Sequence, residues 1–234
     1  MKNYILIFLI IFSCGQKTNQ PCDDSFVKGN NYILNSDFEN ARKEFENSIK
    51  KDPYNANAFY GLGYLYSVQN NNVKAIENFS KSINLDNKFA LAYLQRGQSY
   101  YLEGDRKNAY DDFKKVINLK TDLALPYGYL GNIELENANY DEAINYFDQV
   151  IRLSPKNALA YLNKGVCLGY KGEYNKAINI ITESINLNPK NATSYIHRGL
   201  LEYEYKLGDE ACKDFRKAQE LGYSAQKYID SYCK

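Results

Sequence analysis

The sequence predicts an all-α solenoid of six helix-turn-helix repeats with a short helix capping its C-terminus. Three observations carry that expectation. A glycine recurs at Gly29, Gly63, Gly97, Gly131, Gly165 and Gly199, a step of about 34 residues that no insertion interrupts. An alanine recurs at the same step, at Ala41, Ala75, Ala109, Ala143, Ala177 and Ala211. Within a repeat the apolar pattern has helical period: Tyr127, Leu130, Gly131 and Glu134 fall at i, i+3, i+4 and i+7, and Ala143, Phe147 and Val150 form a second stripe.

Residues 124–157 define the repeat. The first helix breaks at Glu136 to Ala138, and Asn139 is placed to cap the second. That helix ends before Pro155, which disfavours helical backbone at Ser154. Six such repeats start at Cys22, Ala56, Ala90, Ala124, Ala158 and Ala192 and run to about residue 225; the capping helix occupies 225–234. A glycine inside a helix costs roughly 0.5–1 kcal/mol relative to alanine, so six at one phase require a compensating gain. Close approach of the two helices, glycine of the first against alanine of the second, supplies it. Phe59, Tyr93, Tyr127, Tyr161 and Tyr195 on first helices and Phe45, Phe79, Phe113, Phe147 and Phe215 on second helices fill the space beside them, with Ile181 in the fifth repeat. Neighbouring repeats of a solenoid share one core, so a single domain without an internal linker is expected over 22–225.

At these columns the chain resembles the tetratricopeptide repeat family, whose unit has an aromatic, a Leu-Gly pair, a Tyr, an Ala, a Phe and a late Pro. Ser25 departs at the first aromatic, Lys28, Arg96, Lys164 and Arg198 at the leucine, and only Pro53, Pro155 and Pro189 keep the proline. The basic side chains are expected to lay their stems on apolar surface and keep their charges in water. The resemblance implies a right-handed superhelix, a concave groove lined by first helices, and a non-catalytic interaction protein.

The N-terminus differs in kind. Lys2 precedes an unbroken apolar run from Tyr4 to Phe12, far short of the roughly 20 residues a membrane-spanning helix needs but suited to a secretory leader. Ile11-Phe12-Ser13-Cys14-Gly15 resembles a bacterial lipoprotein signal. That implies cleavage of residues 1–13, lipidation of Cys14 and, with Gly15 rather than aspartate next, an outer-membrane lipoprotein on the periplasmic or surface face. An ordinary cleaved leader and a cytosolic protein are the alternatives. Residues 14–24 read as a polar tether, spanning at most about 35 Å.

Export permits disulfides. Cys212 and Cys233 lie equally far from the centre of the turn Leu221-Gly222-Tyr223, so an antiparallel hairpin sets them side by side for a bridge. Cys167, between Val166 and Leu168, reads as a small core residue, while Cys22 remains unassigned.

Charge is balanced, with 29 Lys and Arg against 28 Asp and Glu. No basic cluster suits nucleic acid, and the mixed runs Glu39, Arg42, Lys43, Glu46 and Lys107, Asp111, Lys114 read as solvated outer faces. Catalysis finds no constellation. His197 is the single histidine, without a partner at metal-ligand spacing. Asp111-Asp112 point apart on a helix and read as a solvated face. No catalytic residue, metal or cofactor is expected.

The groove is the remaining place for function. Its lining face, one residue round from the packing stripe, includes Phe26, Asn30, Tyr60, Tyr64, Leu94, Gln98, Tyr101, Asn132, Val166, Tyr170, Ile196 and Tyr203. It is apolar and aromatic and has no basic residue, which suits an apolar or aromatic peptide with Asn30, Gln98 and Asn132 bonding its backbone. A protein or peptide partner is therefore expected; a small molecule or glycan stacked on the tyrosines is the alternative.

Overall fold

A computed structural model describes residues 24–119 and 121–233; Cys14, Cys22 and the leader lie outside them. The described residues form thirteen helices and no strand: α1 (Asp24–Leu34), α2 (Phe38–Lys51), α3 (Ala56–Val68), α4 (Asn72–Leu85), α5 (Ala90–Leu102), α6 (Arg106–Asn118), α7 (Ala124–Glu136), α8 (Tyr140–Leu153), α9 (Ala158–Tyr170), α10 (Tyr174–Leu187), α11 (Ala192–Glu204), α12 (Gly208–Glu220) and α13 (Gln226–Tyr232). First helices from the second repeat onward begin on the expected alanines.

The turn inside each repeat holds one residue in the left-handed region, at Ser36, Asn70, Gly104, Ala138, Gly172 and Lys206. It closes with paired backbone bonds, as where Asp37 N donates to Tyr32 O at 2.8 Å and Ser36 N to Ile33 O at 3.0 Å. Asp37, Asn71 and Asp105 then cap the second helix by accepting from the residue three positions on. Asn139 occupies the expected cap position, but its amide turns away and donates to Glu134 Oε2 at 2.7 Å.

The glycine column has a different partner from the one expected. A Cβ built on Gly131 would lie 2.7 Å from the Phe147 ring, one on Gly63 2.6 Å from Phe79, and one on Gly199 2.7 Å from Phe215. Each glycine is a seat for the ring sixteen residues on; Ile181 fills it at Gly165. Ala177 and Ala211 approach through their carbonyl oxygens, each at 3.2 Å. An aromatic ring packed against bare backbone buries more apolar surface than an alanine methyl could, which offsets the glycine's cost.

The chain divides into two compact units, Met1–Leu119 and Lys120–Lys234, with three repeats in each. The first unit holds a core from Phe26 through Ala92. The second holds one from Leu162 through Ala225 and a smaller one around Ala143, Phe147 and Cys167. Asp52, Asp86 and Asn188 each accept from the backbone N–H two residues on, whereas the equivalent residue 120 is a lysine, which has no acceptor. Helix α6 ends one residue early in the repeat, at Asn118, as α12 does at Glu220.

In the second unit α13 packs on α12. Tyr228 stacks on Phe215 with centroids 5.4 Å apart, and a Cys212–Cys233 disulfide ties the hairpin, Cα atoms 5.5 Å apart.

Candidate partner-binding faces

Burial divides the predicted groove residues sharply. In the first unit Phe26, Tyr60, Tyr64 and Leu94 are buried, Tyr60 to 1 % exposure. Tyr60 lies against Phe79 and Phe89, with centroids at 5.6 and 4.9 Å, and burial raises its hydroxyl above the ordinary value. These residues are core; for Tyr60 and Tyr64 the face one step round from the packing stripe is covered by the next repeat. Asn30, Gln98 and Tyr101 are half-buried. Tyr101 is overlaid by the Arg106 guanidinium, 3.9 Å from its ring centroid, so a cation sits on a face expected to have none.

On the groove face of that unit the exposed apolar side chains are the last residues of the first helices, while Val27, Val73 and Leu85 are exposed elsewhere. Leu34, Val68 and Leu102 are 42 %, 38 % and 71 % exposed and share one phase of the repeat. Three stacked helices therefore present an aliphatic row along one edge.

In the second unit Ile196 is buried and Val166 half-buried. Asn132 accepts from Asn163 Nδ2 at 2.9 Å, so its oxygen already serves a neighbouring repeat. Tyr170, 65 % exposed, stacks on Tyr140 at 5.2 Å, and Tyr203 packs on Tyr232 at 4.3 Å. Leu125 and Leu159, both exposed, were missed by the sequence reading. Their signal was present: each stands three and seven residues before Gly128 and Asn132, or Leu162 and Val166, on the same helix face.

Lys28 is exposed, as expected of the basic residues in the leucine column, but Arg96, Lys164 and Arg198 are not wet. Arg96 donates through Nε and Nη2 to both oxygens of Asp112 at 2.8 Å and through Nη1 to Ser80 at 3.0 Å. Arg198 repeats this with Asp214 at 2.7 and 2.8 Å and Thr182 at 3.0 Å. Lys164 has Ile180 where those repeats have aspartate and turns back to Asp148, at 2.6 Å. Each of these basic groups thus lies between two second helices sixteen residues to either side. Asp112, expected on a solvated face, is buried, and burial pushes its carboxyl above the ordinary value despite the arginine's pull.

The other polar candidates have packing roles. His197 is partly buried and its imidazole lowered by that burial; the buried Cys167 thiol is pushed up to about 12. Among the described residues no cluster of His, Cys, Asp and Glu could hold a metal, and no helix is long and apolar enough to cross a membrane.

Comparison with known proteins agrees with this geometry. Three family models, each described as tetratricopeptide repeat, match residues 44–77, 90–123 and 134–199. No curated protein matches. Among solved structures, the chain is similar to YrrB, described as a TPR protein with an unusual peptide-binding site, at 20 % identity and TM-score 0.70 over 80 % of this chain and 97 % of that one. It is similar to Pseudomonas aeruginosa pilF at 19 % identity and TM-score 0.75, covering 88 % and 95 %. MamA aligns at 26 % identity and TM-score 0.65, covering 70 % and 96 %. With column glycines seating a ring in five of the six repeats and Ile181 in the other, and family models matching over half of its length, the chain is a tetratricopeptide-repeat protein.

Proposed function

We propose that this protein is a non-catalytic interaction scaffold, lipid-anchored through Cys14 in the outer membrane of a bacterial envelope, that binds an apolar peptide segment on the free edge of its first helices. The observation that supports the binding reading is the row Leu34, Val68 and Leu102. Three aliphatic side chains left in water at one repeat phase are costly to keep unless something covers them. A peptide crossing the stacked helices would meet one at each repeat. The row favours a peptide over a glycan, because Tyr60 and Tyr64, which would have supplied stacking rings, are buried. YrrB has a peptide-binding site on this same fold, so the architecture can host one.

A photo-crosslinking residue at Leu102 should capture a partner in intact envelopes, and one at Val73, equally exposed but on a second helix, should not. Equal capture at both positions, or none at Leu102, would remove the row as a binding site. The anchor is tested separately: Cys14→Ser should move the protein from the membrane fraction to the soluble one, and persistence with membranes would count against lipidation.

A further inference from the structure

One column of the repeat reads Tyr32, Tyr66, Tyr100, Glu134, Leu168 and Glu202. Its two glutamates are both buried but differently satisfied. Glu134 accepts from the Asn139 amide five residues on, at 2.7 Å. In the sixth repeat the residue five positions on is Leu207, which has no donor side chain. Glu202 Oε2 is buried without a hydrogen-bond partner. Its other oxygen lies 3.6 Å from Arg198 Nε, a guanidinium already engaged by both oxygens of Asp214 and by Thr182.

The charged groups facing Glu202 are Arg198 on its own helix and Asp214, Glu210 and Lys213 on α12. One arginine thus serves two nearly buried carboxylates, and it grips Asp214 in bidentate fashion. Burial first, then the neighbouring Asp214 charge, pushes the Glu202 carboxyl up to about 7.

The turn above this group is weakly built. Leu207 caps α12 without a side-chain bond, and Lys206 carries a side chain at φ 65°. What holds the turn is Leu207 N donating to the Glu202 carbonyl at 2.8 Å and Lys206 N to Tyr203 O at 2.9 Å. Tyr203, next to Glu202, packs on Tyr232 of the capping helix.

We propose that Glu202 is a proton-operated latch on the sixth-repeat turn: neutral, it stays beneath the turn and keeps Tyr203 against Tyr232; ionised, it draws toward water and loosens residues 203–208. The Cys212–Cys233 bridge keeps α13 attached throughout, so the change is local. The sign follows from linkage. The folded carboxyl holds its proton more tightly than the unfolded one, so the stabilisation is complete in acid, declines above the ordinary glutamate value of 4.5 and is lost as pH rises through about 7.

Hydrogen exchange of the full chain, corrected for intrinsic rates, tests this at pH 6 and pH 8. Protection of the 203–208 amides should fall by about tenfold in the wild type. It should stay constant in Glu202→Gln, which mimics the neutral acid, and in Leu207→Asn, which restores the donor seen at Asn139. Unchanged protection in the wild type, or the same fall in Glu202→Gln, would overturn the latch. A fall that persists in Leu207→Asn would overturn the missing donor as its origin.

Discussion

Replacing Gly131 by Leu is expected to destabilise the second unit by about 3 kcal/mol or more, measured by denaturant unfolding followed by circular dichroism. Even a Cβ at this position would stand 2.7 Å from Phe147 Cε1 and 2.9 Å from its Cζ, inside any real contact distance. The ring is among the largest fully buried side chains and has no free volume to retreat into. Either α7 and α8 separate or Phe147 leaves its rotamer, and overpacking of this kind costs about 1–3 kcal/mol before the further methylenes are accommodated. The better helix propensity of leucine returns less than about 1 kcal/mol. Gly128 supplies the control. A Cβ there meets only Val150 Cγ2, at 3.9 Å, so Gly128→Ala should stabilise by about 0.5–1 kcal/mol. Equal effects at the two glycines would refute the ring-seat account.

Replacing Asp112 by Ala is expected to cost about 3 kcal/mol in the first unit, because it strands the Arg96 guanidinium between α4 and α6 with only Ser80 to bond. The pair itself should contribute far less. Burial is the largest influence on the Asp112 carboxyl, which stands above its ordinary value despite Arg96, whereas against its own burial the Arg96 guanidinium is raised by Asp112; desolvation thus offsets much of the attraction. The second repeat shows the alternative, with Leu62 and Asn78 at the equivalent positions. The double variant Arg96→Leu with Asp112→Asn should therefore unfold within about 1 kcal/mol of the wild type. A double variant as damaged as Asp112→Ala would mean that the ion pair is a net stabiliser.

Much of the local structure was legible in the chain. Helix starts at Ala56, Ala90, Ala124, Ala158 and Ala192 follow from an unbroken repeat, and the Cys212–Cys233 bridge follows from a symmetric turn. Those features depend on neighbours close in sequence, where helical period and turn residues act directly. The groove was legible only as a direction on each helix. Tyr60, Tyr64 and Leu94 were placed on the right face but proved to be core, while Leu125 and Leu159 on that face were overlooked.

By itself, then, the sequence determined the repeat, its helix pairs and the phase at which every column would recur, because hydrophobic period and chain length are properties of one strand of residues. Only the tertiary structure decided that the glycines seat rings, that Arg96 and Arg198 are paired inside, that Glu202 lacks the donor Glu134 has, and that the chain divides at Leu119. Each of these depends on which side chain from another helix arrives at a given point, and whether water is left there. A periodic pattern records which way a residue faces, but not what covers it.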